Sequence, residues 1–194
     1  MAFATSSCAI LTLPCFVCTS CWAVASSCFA AFKCAEAALA ERLESRGLDV
    51  RRVDLSGAHA PEAFAAASRG QRSLVVHAKG YPAQGENRCA AWVEGVFSWA
   101  GLGLEDGHAC DLFERYCTLD DPADLRVGMI VATPRHPFST DGLRFGHVGI
   151  YVGDGEVMDC ASDGVRTVPL SLWLMGYGAL DEPRWGWMRG IALA

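Results

Sequence analysis

The first 32 residues of the chain contain no charged side chain. The basic start of an ordinary signal peptide is therefore missing, since no lysine or arginine precedes Lys33, and Pro14 would interrupt a helix. The apolar stretch from Ala9 to Phe32 is nevertheless long enough to span a bilayer. Membrane association or export of residues 1–33 and simple burial of this segment both stay open.

The N-terminus also lacks histidine, although cysteines are concentrated there. Cys15, Cys18 and Cys21 have the spacing of an iron–sulfur run, but the fourth ligand and its following proline are not in place. Without a nearby histidine, an ordinary zinc set is missing as well. Cysteines that act as small apolar side chains are the simpler interpretation.

Positive charge is scarce along the whole chain. There are 16 lysines and arginines against 22 acidic residues, which gives a net charge of −6 and no basic stripe. Nucleic-acid binding depends on neutralising phosphates, so polynucleotide partners are excluded. At 52% hydrophobic and 20% charged residues, the 194-residue chain has the composition of a folded protein with one full core.

Residues 34–77 alternate between helical and extended patterns. Ala35–Arg46 and Pro61–Ser68 are predicted helices, and Leu48–Leu55 and Ser73–His77 are predicted strands. This αβαβ order contains neither a phosphate-binding glycine loop nor a Cys-x-x-Cys at a helix start. It predicts a short α/β segment without a functional site of its own.

The first candidate for chemistry is Cys89. A polar loop containing Gly85 leads directly into an apolar-periodic segment, which predicts a helix over Cys89–Leu102 with the cysteine at its N-terminus. Free backbone N–H groups and the positive end of the helix dipole favour a thiolate there.

The second candidate is His147, in a β-branched run bounded by glycines that is typical of a strand. Asp154-Gly155 predicts a two-residue turn, so the return strand brings Asp159 onto the strand next to His147. A thiolate with a base to take and return its proton is the minimum machinery for acyl transfer from an amide.

From about residue 78 to 190 the sequence resembles the NlpC/P60 family of cell-wall cysteine peptidases. The resemblance includes the Cys89 helix, the approach to a core strand at Asp124–Val131, and above all the histidine hairpin Gly146–Gly155. It implies an α+β, papain-like domain over residues 78–194, in which the nucleophile helix packs on an antiparallel sheet. The apolar cysteine-rich segment 1–33 and the short α/β segment 34–77 precede this domain.

The resemblance also implies roles for single residues. Cys89 is the nucleophile, His147 is the general base, and Asp159 orients the imidazole where family members often have histidine. The family's usual Asp-Cys-Ser-Gly is replaced by Arg88-Cys89-Ala90-Ala91. By analogy, Tyr81 is expected to supply an oxyanion donor beside the Cys89 N–H, and Arg88 is expected either to stabilise the thiolate or to face solvent.

Nearby cysteines and histidines are expected to be structural. Cys110 and Cys117 are predicted to be buried on one face of a helix over Asp106–Tyr116. Cys160 follows Asp159 and is predicted to point away from the site. His108 and His136 lie in loop-like stretches, and no catalytic role is predicted for them.

These patterns predict a cysteine hydrolase that cleaves amide bonds of bacterial peptidoglycan, as a stem-peptide endopeptidase or an amidase, without a metal or cofactor. The resemblance implies an extracytoplasmic, cell-wall-associated protein or a phage lytic enzyme. Two alternatives stay open: a thiol acyltransferase or hydrolase that acts on lipids, and a catalytically silent wall-binding module. The bond that is cleaved and the oligomeric state are not determined by the sequence.

Overall fold

The computed structural model describes residues 59–193, together with Glu41, Glu44 and Ser45. Over these residues the chain forms five α-helices around an antiparallel five-stranded sheet, which confirms the predicted α+β class. The apolar segment 1–33 and the strand predicted at 48–55 lie outside the described residues. Of the helix predicted at 35–46, only Glu41 and Glu44 are described as helical.

All neighbouring strands of the sheet are antiparallel, in the order β4-β3-β2-β1-β5. The predicted turn at Asp154-Gly155 joins β2 to β3, and both turn residues have positive φ (54° and 74°), as a tight hairpin turn requires. The strands are β1 (Ile130–Thr133), β2 (His147–Gly153), β3 (Glu156–Ala161), β4 (Gly164–Pro169) and β5 (Arg184–Gly186).

Helices surround this sheet. The predicted nucleophile helix is present from Cys89 to Trp99, and the helix predicted over Asp106–Tyr116 begins at Ala109. The five are α1 (Arg69–Gly80), α2 (Cys89–Trp99), α3 (Ala109–Tyr116), α4 (Thr140–Phe145) and α5 (Leu170–Tyr177). None of the helices in the described ranges is long and apolar enough to cross a membrane.

The strand predicted at Ser73–His77 is wrong, because these residues belong to α1. Ser68 begins this helix with a capping box, in which its side chain and that of Gln71 satisfy each other's backbone N–H groups. The helix runs across the boundary predicted between residues 77 and 78. The helix predicted at Pro61–Ser68 is reduced to one 3-10 turn, Phe64–Ala66.

Helix α2 is anchored through its apolar face. Four of its side chains are fully buried: Trp92, Val93, Val96 and Phe97. They pack into the same core as the inner strands β2 and β3. Burial of four such side chains stabilises the helix by roughly 2 kcal/mol each. The first residue of α2 is thereby held beside the start of β2.

Candidate active site

Cys89 is the first residue of α2, and its side chain is half-buried. Asn87, two residues earlier, has a left-handed backbone (φ 55°), which asparagine adopts more readily than most residues. The first N–H groups of a helix have no carbonyl partner within the helix. One of them, the Ala90 N–H, hydrogen-bonds the Cys89 sulfur.

The surroundings of this sulfur favour its ionised form. Burial alone would raise the pKa of the Cys89 thiol, but the charge and the hydrogen bond of His147 oppose burial. The N–H groups of Val148 and Ala90 act in the same direction, and together these contacts lower the pKa. A thiolate is the nucleophilic form of cysteine, so these contacts favour the form of Cys89 that an attack on a carbonyl requires.

His147 is the first residue of β2, where the strand holds its ring rigidly. Its Nε2 lies 2.8 Å from Oδ2 of Asp159, which leaves Nδ1 as the nitrogen that faces sulfur. The ring of Tyr177 stacks on the imidazole, with centroids 4.0 Å apart and planes 15° from parallel. The sheet register explains the pairing, because Asp159 lies directly opposite Gly149, two residues along the strand from His147.

Asp159 is fully buried and accepts hydrogen bonds from three side chains. Besides His147, Arg166 donates through Nε to Oδ1 at 2.8 Å, and Trp173 donates through Nε1 to Oδ2 at 3.1 Å. Burial alone would raise the pKa of Asp159. The Arg166 guanidinium and His147 outweigh burial and hold the pKa well below its usual range, so the carboxylate stays ionised.

The same contacts determine the charge of His147. Burial alone would lower its pKa, but the Cys89 sulfur and the Asp159 carboxylate raise it to about 9. A raised imidazole pKa beside a lowered thiol pKa favours the thiolate–imidazolium form of the pair over the neutral form. Such a pair has its nucleophile already ionised and a proton ready for a leaving group.

The pair opens into a cleft of about 490 Å³. Its walls combine both groups of the pair with aromatic rings and two carboxylates: Glu86, Cys89, His108, His136, Phe138, Asp141, Phe145, His147 and Tyr177. In one wall, the side-chain amide of Asn87 donates a hydrogen bond of 3.0 Å to the Asp141 carboxylate. The sulfur therefore faces a space large enough for an extended peptide.

The structure brings the three predicted residues Cys89, His147 and Asp159 into one hydrogen-bonded chain. Arg88 precedes the helix as its N-cap residue and is exposed. Of the two alternatives for Arg88, this position agrees with the solvent-facing one.

The expectation for Tyr81 is wrong. Its ring lies against Trp99 and its hydroxyl against Gly95, where an added Cβ would lie 2.3 Å from the phenolic oxygen. Gly95 is six residues into α2 from Cys89, or about 9 Å along the helix axis at 1.5 Å per residue. Tyr81 therefore lines a separate groove on the flank of the helix and does not reach the carbonyl that Cys89 would attack.

The expectation that Cys160 points away from the site is also wrong. It does alternate with Asp159 along β3, but the loop before α2 covers the face on which it lies, and its Sγ is 4.0 Å from the Gly85 carbonyl oxygen. Cys160 therefore lines the same cleft as Cys89. Of the other two cysteines within residues 59–193, Cys117 is buried as predicted, whereas Cys110 is only half-buried.

Several residues of the site were not predicted from the sequence. Arg166, Trp173 and Tyr177 surround Asp159 and His147, and His108 and His136 line the cleft. One signal was present in the sequence: Arg166 lies across a short turn from Asp159, at a spacing that cross-strand pairing allows. Trp173 and Tyr177 are one helical turn apart, which places them on one face of α5.

Comparison of the chain with protein-family models and with curated proteins found no match. Within the described residues, no group of three or more histidine, cysteine, aspartate or glutamate side chains is arranged to hold a metal ion. The site is therefore interpreted from its own geometry.

Proposed function

We propose that this chain is a cysteine hydrolase of amide bonds in bacterial peptidoglycan, built on a papain-like domain of the NlpC/P60 type. The observation that carries the proposal is the chain of contacts from Cys89 through His147 to Asp159 at an open cleft. The sequence resemblance over residues 78–190 supplies the substrate class.

The geometry suggests a two-step reaction. The Cys89 thiolate attacks the amide carbonyl, and the resulting oxyanion is stabilised by the backbone N–H of Cys89 at the helix N-terminus. The imidazolium of His147 gives its proton to the nitrogen as the C–N bond breaks, which releases the amine and leaves a thioester. His147, now neutral, takes a proton from water as that water attacks the thioester, which frees the carboxylic acid and restores the Cys89 thiolate beside the His147 imidazolium.

Asp159 supports both steps. Its carboxylate holds Nε2 of His147, so that Nδ1 stays aimed at the sulfur, and it stabilises the imidazolium. The lowered pKa of Cys89 argues against a catalytically silent module, because a thiol without a catalytic environment keeps a pKa near 8.5.

The proposal is tested with Cys89→Ala and Cys89→Ser in the full chain. Both variants are expected to lose clearing of cell-wall suspensions by about four or more orders of magnitude, because the nucleophile acts as a unit with its base. A Cys110→Ser variant serves as the matched control and is expected to retain activity.

Mass spectrometry of the soluble products identifies the bond that is cut. New amino and carboxyl termini in muropeptides are the expected result. Wall clearing by Cys89→Ala would overturn the mechanism, and release of fatty acid from phospholipid with intact muropeptides would move the substrate to lipids.

A further inference from the structure

A second buried charge lies directly behind the Cys89–His147–Asp159 chain. Arg166 on β4 is paired with Asp159 on β3 as its direct cross-strand neighbour. Its Nε is 2.8 Å from Oδ1 and its Nη2 is 3.3 Å from Oδ2, while the same Nη2 donates to the Tyr177 hydroxyl at 2.6 Å. The Arg166 side chain is only 4% exposed, so both ends of the ion pair are withdrawn from water.

The charges of this cluster balance only when Arg166 is counted. A thiolate at Cys89, an imidazolium at His147 and a carboxylate at Asp159 leave one net negative charge in a buried site. Such a charge opposes ionisation of the thiol, because Coulomb interactions are strong where the dielectric is low. The guanidinium cancels it, so that the carboxylate can hold the imidazolium without repelling the thiolate.

Arg166 also fixes the direction of the carboxylate. Its Nε donates to Oδ1 and its Nη2 to Oδ2, and the Trp173 indole N–H adds a second donor to Oδ2, the oxygen that meets His147. A carboxylate held at both oxygens cannot rotate away from the imidazole. Among the described residues, the other titratable groups around the cluster are Tyr177 on α5, Asp163 in the β3–β4 turn, and Cys160 and His136 at the cleft.

We propose that Arg166 is a positioning residue of the thiol site, which acts through Asp159 to orient His147 and to keep the thiolate–imidazolium pair charged. The proposal rests on the proposed hydrolase function only for its activity readout, because the state of the thiol can be measured without any substrate.

The test measures the pH dependence of Cys89 alkylation by iodoacetamide in the full chain, followed at the Cys89 peptide by mass spectrometry. With Arg166→Met, the midpoint is expected to rise by about one to two pH units, so that the rate at a pH below both midpoints falls about 10- to 100-fold. Arg166→Lys keeps the charge and is expected to restore most of the rate. Wall clearing by these variants should follow the same order.

The chain offers a matched control in Arg135, which binds Asp181 through two hydrogen bonds of 2.8 and 2.9 Å at an exposed site. Arg135→Met removes the same kind of pair and is expected to leave the Cys89 midpoint unchanged. A wild-type midpoint in Arg166→Met, or an Arg166→Lys variant no better than Arg166→Met, would overturn the proposal.

Removal of Arg166 or of the Asp159 charge alone leaves its buried partner uncompensated, which can prevent folding, so circular dichroism verifies the fold of each variant. The D159N/R166M double variant has neither charge and is compared with D159N. If Arg166 acts through Asp159, its loss in the D159N background changes the rate by less than about twofold, the scatter of uncoupled sites. A tenfold loss there would show that Arg166 acts independently of Asp159, and the proposal would fail even if the hydrolase function holds.

Discussion

Helix α2 contacts two depressions, and next to each of them is a carboxyl group that is partly or fully withdrawn from water. Asp159 lies behind the Cys89 cleft, whereas Glu94 lies beside the flank groove, which we define by Tyr81, Trp99 and Leu104. Asp159 has three side-chain donors and a lowered pKa. Burial and the nearby acidic residues Asp106 and Glu105 raise the pKa of Glu94 to about 7.

The pKa values of Asp159 and Glu94 shift in opposite directions because the two carboxyl groups have different neighbours. Oε1 of Glu94 is buried and has no hydrogen-bond partner among the described residues. A hydrogen bond from the Gly107 N–H lowers the pKa of Glu94, but by less than burial raises it. Withdrawal from water raises the pKa of both carboxyl groups. At Asp159, hydrogen-bond donors and the Arg166 cation outweigh this effect and lower the pKa. The comparison therefore separates a carboxylate that its partners keep ionised from a carboxyl group whose pKa burial and acidic neighbours raise.

Between the two carboxyl groups, the larger effect is expected from Asp159→Asn, which keeps the shape of the side chain and removes its charge. Wall-clearing activity should fall by about three to four orders of magnitude, because the imidazolium loses its stabilising partner. Initial rates of clearing measure this loss, with circular dichroism to verify the fold. Asp181→Asn, which removes the exposed partner of Arg135, should leave the rate unchanged, and equal losses in both variants would contradict the special role of Asp159.

The cysteines provide the next contrast. The pKa of Cys89 is lowered, whereas burial raises the pKa of the half-buried Cys110. Since His147 keeps its proton up to about pH 9, alkylation of Cys89 by iodoacetamide should change little between pH 6 and 8. Alkylation of Cys110 should rise about tenfold per pH unit over that range. Peptide mapping after timed labelling measures both rates, and parallel slopes would show that Cys89 is not activated.

The sequence predicted those parts of the site that depend on local structure, such as a helix start or a tight turn. The helix start at Cys89 follows from the loop before it, and the Asp154-Gly155 turn brings Asp159 beside His147. Both signals lie within a few residues of the groups that they position. The helix start at Cys89 and the pairing of His147 with Asp159 could therefore be predicted from the sequence.

The residues that the sequence did not reveal depend on distant packing. Trp173 and Tyr177 reach the site only because α5 packs beside β3 and β4. Tyr81 was misplaced because the path of the chain before α2 is a tertiary property. At Ser73–His77, a short apolar run fits a strand or a helix equally well, and the Ser68 capping box indicates the helix.

A smaller effect is expected at Glu94, and it concerns stability. The native pKa of about 7 lies above the unfolded value near 4.5, so the folded state binds more protons between those two values. Stability should therefore fall as the pH rises from about 4.5 to 7, and Glu94→Gln should remove this loss. Because the group is half-buried and partly screened, the gain at pH 8 should be about 1 kcal/mol, with none at pH 4. Urea unfolding at pH 4 and pH 8 measures the free energy of unfolding of both proteins. An equal gain at both pH values would show that the raised pKa of Glu94 is not the cause.

The smallest effect is expected from Tyr81→Phe, which removes only the hydroxyl from the flank groove. If Tyr81 supplied an oxyanion donor, its loss would lower the rate about 100- to 1000-fold. Because this hydroxyl lies against Gly95, about 9 Å along the helix from Cys89, wall clearing should stay within about twofold of the wild-type rate. Steady-state rates at saturating substrate decide between these two outcomes. A large loss would show that Tyr81 acts in the Cys89 cleft, and the contrast between the two sides of α2 would no longer hold.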